Sequence, residues 1–196
     1  MKGSLIIIAF FVLGIVVGLQ FSTFNFQFST FILCALMFFV GISIGSDTNT
    51  LKSFRSVNPR LMMLPVMTIF GTLAGTAAAS ALLPHRHLFD CLAIGSGFGY
   101  YSLSSIFITE YKGAELGTIA LLANIMREII TLLCAPLLVK FFGKLAPISM
   151  GGATTMDTTL PIITRTSGQD YVIVSIFHGF CVDFSVPFLV TFFCSL

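Results

Sequence analysis

Five ionisable residues, Arg127, Glu128, Asp157, His178 and Asp183, fall within or against long apolar stretches of this sequence. A charge at the centre of a membrane costs about 2.5 to 3.5 kcal/mol on insertion scales, so such groups persist where they face protein or water. Asn124, Arg127, Glu128 and Thr131 recur at the spacing of one helical face, so a polar stripe runs along an otherwise apolar helix. One plain reading pairs Arg127 with a carboxylate and makes the pair a packing device. That leaves a surplus, because Glu128, Asp157 and Asp183 outnumber the one arginine. The surplus negative charge must be protonated, paired with a cationic substrate or solvated by a cavity, and each outcome points toward movement of a solute. His178 and Asp183 are about 140° apart around a helix and do not share a face unless Gly179 and Pro187 distort it. His178 suits either a proton relay near neutral pH or a structural hydrogen bond.

Two segments look unable to remain continuous helices. The stretch from about Leu88 to Thr109 reads Gly95-Ser96-Gly97-Phe98-Gly99-Tyr100-Tyr101 through its middle, and its alternating glycines make unbroken helix costly. The stretch from about Ala146 to Thr166 carries Gly151, Gly152 and Pro161 around a threonine-rich run that contains Thr155 and Asp157. In lipid, unwound backbone is tolerated only where protein buries it or it lines a cavity. Discontinuous helices use this arrangement, offering half-helix N-termini to anions and freed carbonyls or carboxylates to cations. The candidate substrate- or proton-binding residues are therefore Glu128, Asp157, Arg127, Asn124, Asp183, Thr155 and Ser96.

The composition dictates the solvent around these residues. With 56% hydrophobic and 9% charged residues, the chain lacks the polar surface of a water-soluble domain. Lipid takes that place, and the fold expected is an all-α polytopic membrane protein with six or seven transmembrane segments, one or two of them discontinuous or re-entrant. Seven stretches qualify, at about Leu5 to Leu19, Phe28 to Ile44, Leu61 to Leu83, Leu88 to Thr109, Leu116 to Phe142, Ala146 to Thr166 and Tyr171 to Leu196. Together they read as a single transmembrane domain over residues 1–196. The third is rich in small residues, including Gly71 and Gly75, which permits close helix packing. The loop from Gly45 to Arg60 holds Lys52, Arg55 and Arg60 and is expected to be cytoplasmic, which puts the N-terminus on the same side. If all seven stretches cross, Lys112 and Arg165 lie inside with that loop, Arg86, Lys140 and Lys144 lie outside, and a re-entrant segment would reverse everything after it. The apolar run after Met1-Lys2 has no small-x-small cleavage site following it and reads as a retained helix.

Other chemistries find little support. Net charge of +2, without a basic stripe, gives no reason for a nucleic-acid partner. Cys34, Cys91, Cys134, Cys181 and Cys194 lie in apolar stretches without metal-site spacing and read as small buried hydrophobes. Nothing calls for a cofactor or a metal. Gly41-Ile42-Ser43-Ile44-Gly45 matches a hydrolase elbow in letters only, since that elbow needs a strand before it and a sheet beneath it. Gly95 to Gly99 likewise opens no dinucleotide-binding unit. The competing classes are an intramembrane hydrolase using Ser43 or Ser96 with His178, a channel, an ion-coupled carrier for another small organic ion, and a non-autonomous subunit of a transporter.

The run GGATTMDTTLPIITRTSGQDYVIVSIFHGFCVDFSVPFLVTFF, with GISIGSD, SGFGYYSLSSI and LLANIMREI before it, resembles the LysO family of bacterial lysine exporters over essentially the whole chain. The resemblance implies a multi-pass protein of the bacterial cytoplasmic membrane that exports L-lysine and its toxic analogues. It also implies that the intramembrane acidic residues are required, a role that falls by motif on Glu128 and Asp157. Lysine offers an ammonium for those carboxylates, and a carboxylate for half-helix N-termini or Arg127. A carboxylate that binds either an ammonium or a proton would make the coupling an antiport, with sodium the alternative ion. Full-length family members carry further N-terminal helices, so the resemblance implies assembly with a second copy of the chain or with a small membrane subunit.

Overall fold

The computed structural model describes residues 61–83 and 86–196, together with the helical residues Leu13, Phe38 and Ile42. The chain forms two units, Met1–Thr48 and Asn49–Leu196, and the helices named below belong to the second. The first two expected spans, the basic loop before Leu61 and the Gly41 to Gly45 motif lie outside the described residues. A 3₁₀ turn, Leu61–Met63, leads into α1 (Leu64–Ser80); α2 (Leu88–Gly95), α3 (Tyr101–Lys112) and α4 (Ala114–Phe142) follow. Then come α5 (Ala146–Gly151), a 3₁₀ turn (Gly152–Met156), α6 (Leu160–Ser167), a 3₁₀ turn (Gln169–Tyr171) and α7 (Val172–Cys194). Among the described residues every regular element is helical. Proline sits in the first turn of α1, α5 and α6, where its fixed φ favours helix and its missing N–H removes no bond.

Three stretches are long and apolar enough to cross a membrane: Leu61–Ser80, Ala114–Phe142 and Gln169–Cys194, of 20, 29 and 26 residues. At 1.5 Å per residue they measure about 30, 44 and 39 Å. Pro136 and Pro187 lie inside α4 and α7 without ending them.

The two segments between these long helices do not cross. Lys112, at the end of α3, lies 3.5 Å from Asp90 at the start of α2, so the chain from Leu88 to Lys112 goes in, turns and comes back. Arg86, just before α2, is bonded to Glu115 in the first turn of α4, at the same end of the molecule. The second segment behaves likewise: the Ser167 hydroxyl, at the end of α6, donates to the carbonyl of Lys144, which precedes α5, at 2.8 Å. Leu61, Leu64, Leu145, Ile162 and Tyr171 pack around Ile148, Ile163 and Val174 and mark this opposite end. We call the end where α1 begins proximal and the end where it finishes distal. One helical hairpin enters from the distal end and the other from the proximal end, while α1, α4 and α7 run the full length. Cys194, the last residue of α7, is within electrostatic range of Lys112 and Asp90, which places the end of α7 at the distal side.

This geometry corrects the side assignments expected for seven crossings. Lys112 belongs with Arg86 at the distal end, while Lys140, Lys144 and Arg165 gather at the proximal end. The reason is the alternating glycines and the Gly-Gly pair, which turn the chain back at half depth where a crossing was allowed for.

The hairpin tips meet each other. Asn124, at the first tip, and Thr131, at the second, lie about 15 Å and 17 Å along α4 from its two ends, so both tips sit near mid-depth. The Ala153 N–H donates to the Phe98 carbonyl at 2.9 Å, joining one unwound tip to the other. Gly152 has φ +65°, and a Cβ there would stand 2.1 Å from the Phe98 oxygen, so no other residue fits. Among the described residues, a Cβ on Gly71 or Gly75 would meet no atom within 4 Å, so neither packs closely against a described helix. Contact between α1 and α2 is made instead at Thr76 against Gly95.

A direct test follows from the tip contact. Gly152→Ala should cost at least about 2 kcal/mol, through both strain and overlap. Gly75→Ala should be neutral or slightly stabilising. Thermal unfolding of the purified protein in detergent should separate them, and equal melting temperatures would refute the proposed tip packing.

Candidate functional site

Asn124 holds the distal hairpin's tip. Its Oδ1 accepts from the Gly99 N–H at 2.7 Å, and its amide donates to the Ala120 carbonyl at 2.8 Å, with longer approaches of 3.4 Å to Ser104 Oγ and the Ile94 carbonyl. A Cβ on Gly97 would lie 2.5 Å from the Asn124 amide nitrogen, so the glycine is what lets tip and amide meet. Ser96 is buried, and its hydroxyl donates to the Ala93 carbonyl at 2.8 Å, spent on its own helix end.

Arg127 does the corresponding work for the proximal hairpin. Its Nε donates to the Met150 carbonyl at 2.8 Å and an Nη to the Ser149 carbonyl at 3.0 Å, at the C-terminal end of α5, where helix carbonyls lack partners. The guanidinium carbon lies 5.9 Å from the centre of the Phe98 ring. Phe98 itself has φ +45°, an uncommon conformation for a bulky residue, at the point where the two tips touch. No carboxylate among the described residues forms a salt bridge with Arg127, so the Arg127–carboxylate pair considered from sequence is replaced by bonds to backbone. Carbonyls at a frayed helix end need donors as much as a buried guanidinium needs acceptors.

Glu128 lies on the same face of α4, half-buried, between Asn124 and Thr131. It makes no salt bridge with a described residue.

Asp157 follows the 3₁₀ turn of the proximal tip. It is exposed, and its Oδ1 accepts from the backbone N–H of Thr158 at 2.5 Å and lies 3.3 Å from the Thr158 hydroxyl. Asp183 lies opposite it on α7 and is only 6% exposed. Its approach depends on Gly179, one turn earlier, where a Cβ would stand 2.7 Å from the Met156 nitrogen. Asp157 and Asp183 repel one another electrostatically, and Tyr100, at the distal tip, feels both. Two carboxylates and a phenol, from the two hairpins and α7, thus lie within electrostatic range of one another.

Thr155, Ser175 and His178 bind the proximal tip to α7. Thr155 Oγ1 lies 2.8 Å from the Gly152 carbonyl, 2.9 Å from the Ser175 carbonyl and 3.3 Å from His178 Nδ1, and the Ser175 hydroxyl donates to the Thr155 carbonyl at 2.9 Å. His178 Nε2 is 2.9 Å from the Thr68 hydroxyl on α1. Both ring nitrogens are therefore engaged by threonines, and His178 ties α7 to α1 and to the tip. It does not pair with Asp183, in keeping with their angular separation.

The structure thus brings Asp157 and Asp183 together with Tyr100, and sets Asn124, Arg127 and Thr155 as braces of the unwound tips. Tyr100, Phe98, Thr68 and Thr72 escaped the sequence reading. Thr68, Thr72 and Thr76 recur every fourth residue on α1, a polar stripe of the kind noticed on α4. Nothing in the sequence marks the Phe98 carbonyl, because its partner lies far along the chain.

The comparisons agree with this architecture in kind. The family profile for the lysine exporter LysO matches residues 8–194. The chain is 36% identical over 176 residues to the lysine exporter LysO of Escherichia coli, covering 90% of this chain and 58% of that protein. It is 34% identical over 165 residues to a Haemophilus influenzae protein with a provisional lysine-exporter name, covering 84% of this chain and 83% of that one. No solved structure matches. A match across almost the whole length, on a helical membrane chain whose polar residues converge at two unwound tips, makes this chain a member of the LysO lysine exporter family.

Proposed function

We propose that the chain exports L-lysine and its toxic analogues from the bacterial cytoplasm across the inner membrane, by exchange for protons, and that it acts as a carrier with no catalytic step. The observation that carries the reading is the Asp157–Asp183 pair at the junction of the hairpin tips, beside Tyr100 and with no salt bridge among the described residues. Two carboxylates that repel one another and form no ion pair with a described residue favour a bound cation beside them. A proton or the side-chain ammonium of lysine can supply that charge, and competition between them is antiport. Glu128, half-buried on the polar face of α4, offers a third carboxylate for the substrate's other amine or for the proton. Sodium in place of the proton is the second reading, since carboxylates beside freed backbone carbonyls also suit that ion.

Orientation follows from charge. Lys140, Lys144 and Arg165 lie at the proximal end, as does Leu61, which Lys52, Arg55 and Arg60 precede in the sequence. The distal end has Arg86 and Lys112. By the positive-inside rule the proximal end is cytoplasmic and the end of α7 faces outward. The chain spans 58% of the length of the Escherichia coli relative, and we propose that it transports as an assembly with a second copy or with a small membrane subunit.

Single cysteines at Lys144 and Arg165 should react with a membrane-impermeant maleimide only after the cell is opened, and cysteines at Arg86 and Lys112 should react from outside. Labelling Lys112 together with Lys144 would break the hairpin topology. In proteoliposomes or lysine-loaded cells, Asp157→Asn and Asp183→Asn should each lower efflux of labelled lysine at least about tenfold, the equivalent of one lost charged contact. Efflux by the native chain should move protons the opposite way, read with a trapped pH-sensitive dye. Sodium-dependent efflux with no pH change would favour the second reading, and full activity in both variants would remove the pair from the substrate path.

A further inference from the structure

A cavity of about 550 Å³ opens between α1, α4 and α5. Thr68, Gly71 and Thr72 line one wall, Leu138 and Met150 the other, and Arg127 stands at its inner end. Phe142 and Ala146 bring its mouth to the proximal end, the side assigned to the cytoplasm. The size falls within the roughly 300 to 1,000 Å³ of small-ligand sites. The walls are mostly apolar, and the charge sits at one place.

Arg127 is only partly committed to the fold. A guanidinium carries five N–H donors in a planar fork. Nε and one Nη donor are taken by the Met150 and Ser149 carbonyls. Toward the cavity, among the described residues, Nη1 and Nη2 have only the Thr72 hydroxyl, 3.4 Å from each, longer than an ordinary N–H···O bond. The cation therefore has spare donors, no salt bridge with a described carboxylate, and open space in front of it. An anion with two coplanar oxygens fits such a fork, and the Thr72 hydroxyl can donate to the same group.

We propose that this cavity is the cytoplasmic subsite for the α-carboxylate of the amino-acid substrate, with Arg127 its anchor, Thr72 a second donor and Gly71 the residue that keeps the wall open. The assignment rests on the export reading and deepens it, because it makes selectivity depend on both ends of the substrate. The aliphatic stem lies along Leu138 and Met150, and a diamine that lacks the carboxylate is rejected because it would bring a second cation to the arginine.

Removing Arg127 would also uncap α5, so the sharper variant is steric. Gly71→Leu fills the cavity from a position where a Cβ meets no atom within 4 Å, and Gly75→Leu, equally unobstructed and outside the cavity, is the control. In proteoliposomes exporting labelled lysine, 6-aminohexanoate, which keeps the carboxylate, should compete from the proximal side at least about tenfold better than 1,5-diaminopentane, which lacks it. Gly71→Leu should raise the KM for lysine about tenfold or more and Gly75→Leu should leave it unchanged. Arg127→Lys, which retains charge but not the fork, should narrow the gap between the two competitors. Equal competition by the two compounds in the native chain, or an unaltered KM in Gly71→Leu, overturns the proposal even while lysine export stands. If the native chain, alone and together with any small membrane protein that co-purifies with it, exports no lysine, the export reading fails by itself. Calorimetric binding of 6-aminohexanoate to the purified protein then decides the cavity, requiring a signal that Gly71→Leu abolishes and Gly75→Leu keeps. Co-purification of an anionic phospholipid that Gly71→Leu releases, with the competitor ratio untouched, would assign the arginine to a lipid phosphate and also overturn the proposal.

Discussion

Everything at the centre of this protein depends on how unwound backbone is satisfied where water is scarce. The Ala153 N–H bonded to the Phe98 carbonyl is the direct link between the hairpins, and around it each freed group has been given a partner from elsewhere: Gly99 from Asn124, the end of α5 from Arg127, Thr155 from Ser175. In hydrocarbon an unmade backbone bond costs several kcal/mol, so the tips hold their shape only with all of these in place. The polar residues on α4 and α7 are therefore structural before they are functional. What remains after the braces are counted, Asp157, Asp183, Glu128 and the outer edge of Arg127, forms no ion pair with a described residue, and these are the groups proposed above to meet a solute.

Charge economy explains why these groups tolerate their depth. Arg127 is neutralised in part by carbonyl dipoles at a helix end, and no described carboxylate forms a salt bridge with it. The carboxylates are consequently left without their obvious counter-ion and repel one another. An arrangement that kept Arg127 beside Asp157 or Asp183 would be calmer and would have nothing to bind. Separating the cation from the anions creates two poles, which is the charge pattern on which the proposed recognition of a zwitterion with an extra amine rests.

Much of this was legible from residue order. The alternating glycines from Gly95 to Gly99 and the Gly151-Gly152 pair announced both breaks, and the polar stripe on α4 announced the face against which they pack. The chain could not declare whether a broken segment continues across or turns back, since hydropathy is the same either way. That question is decided by Lys112 against Asp90 and Ser167 against Lys144, contacts between opposite ends of each segment. Nor could spacing alone show that His178 would be consumed by Thr68 and Thr155, which come from distant parts of the chain.

The opposed hairpins also bear on how such a protein is made. Neither hairpin is long enough to span the bilayer, and each ends in backbone that lipid cannot solvate, so neither can settle into the membrane as an independent unit. The distal hairpin needs Asn124 from a helix synthesised after it, and the proximal hairpin needs Ser175 and His178 from α7, which follows it in the chain. Biogenesis must therefore keep both pieces waiting, at the edge of the insertion machinery or shielded by it, until α4 and α7 have emerged from the ribosome.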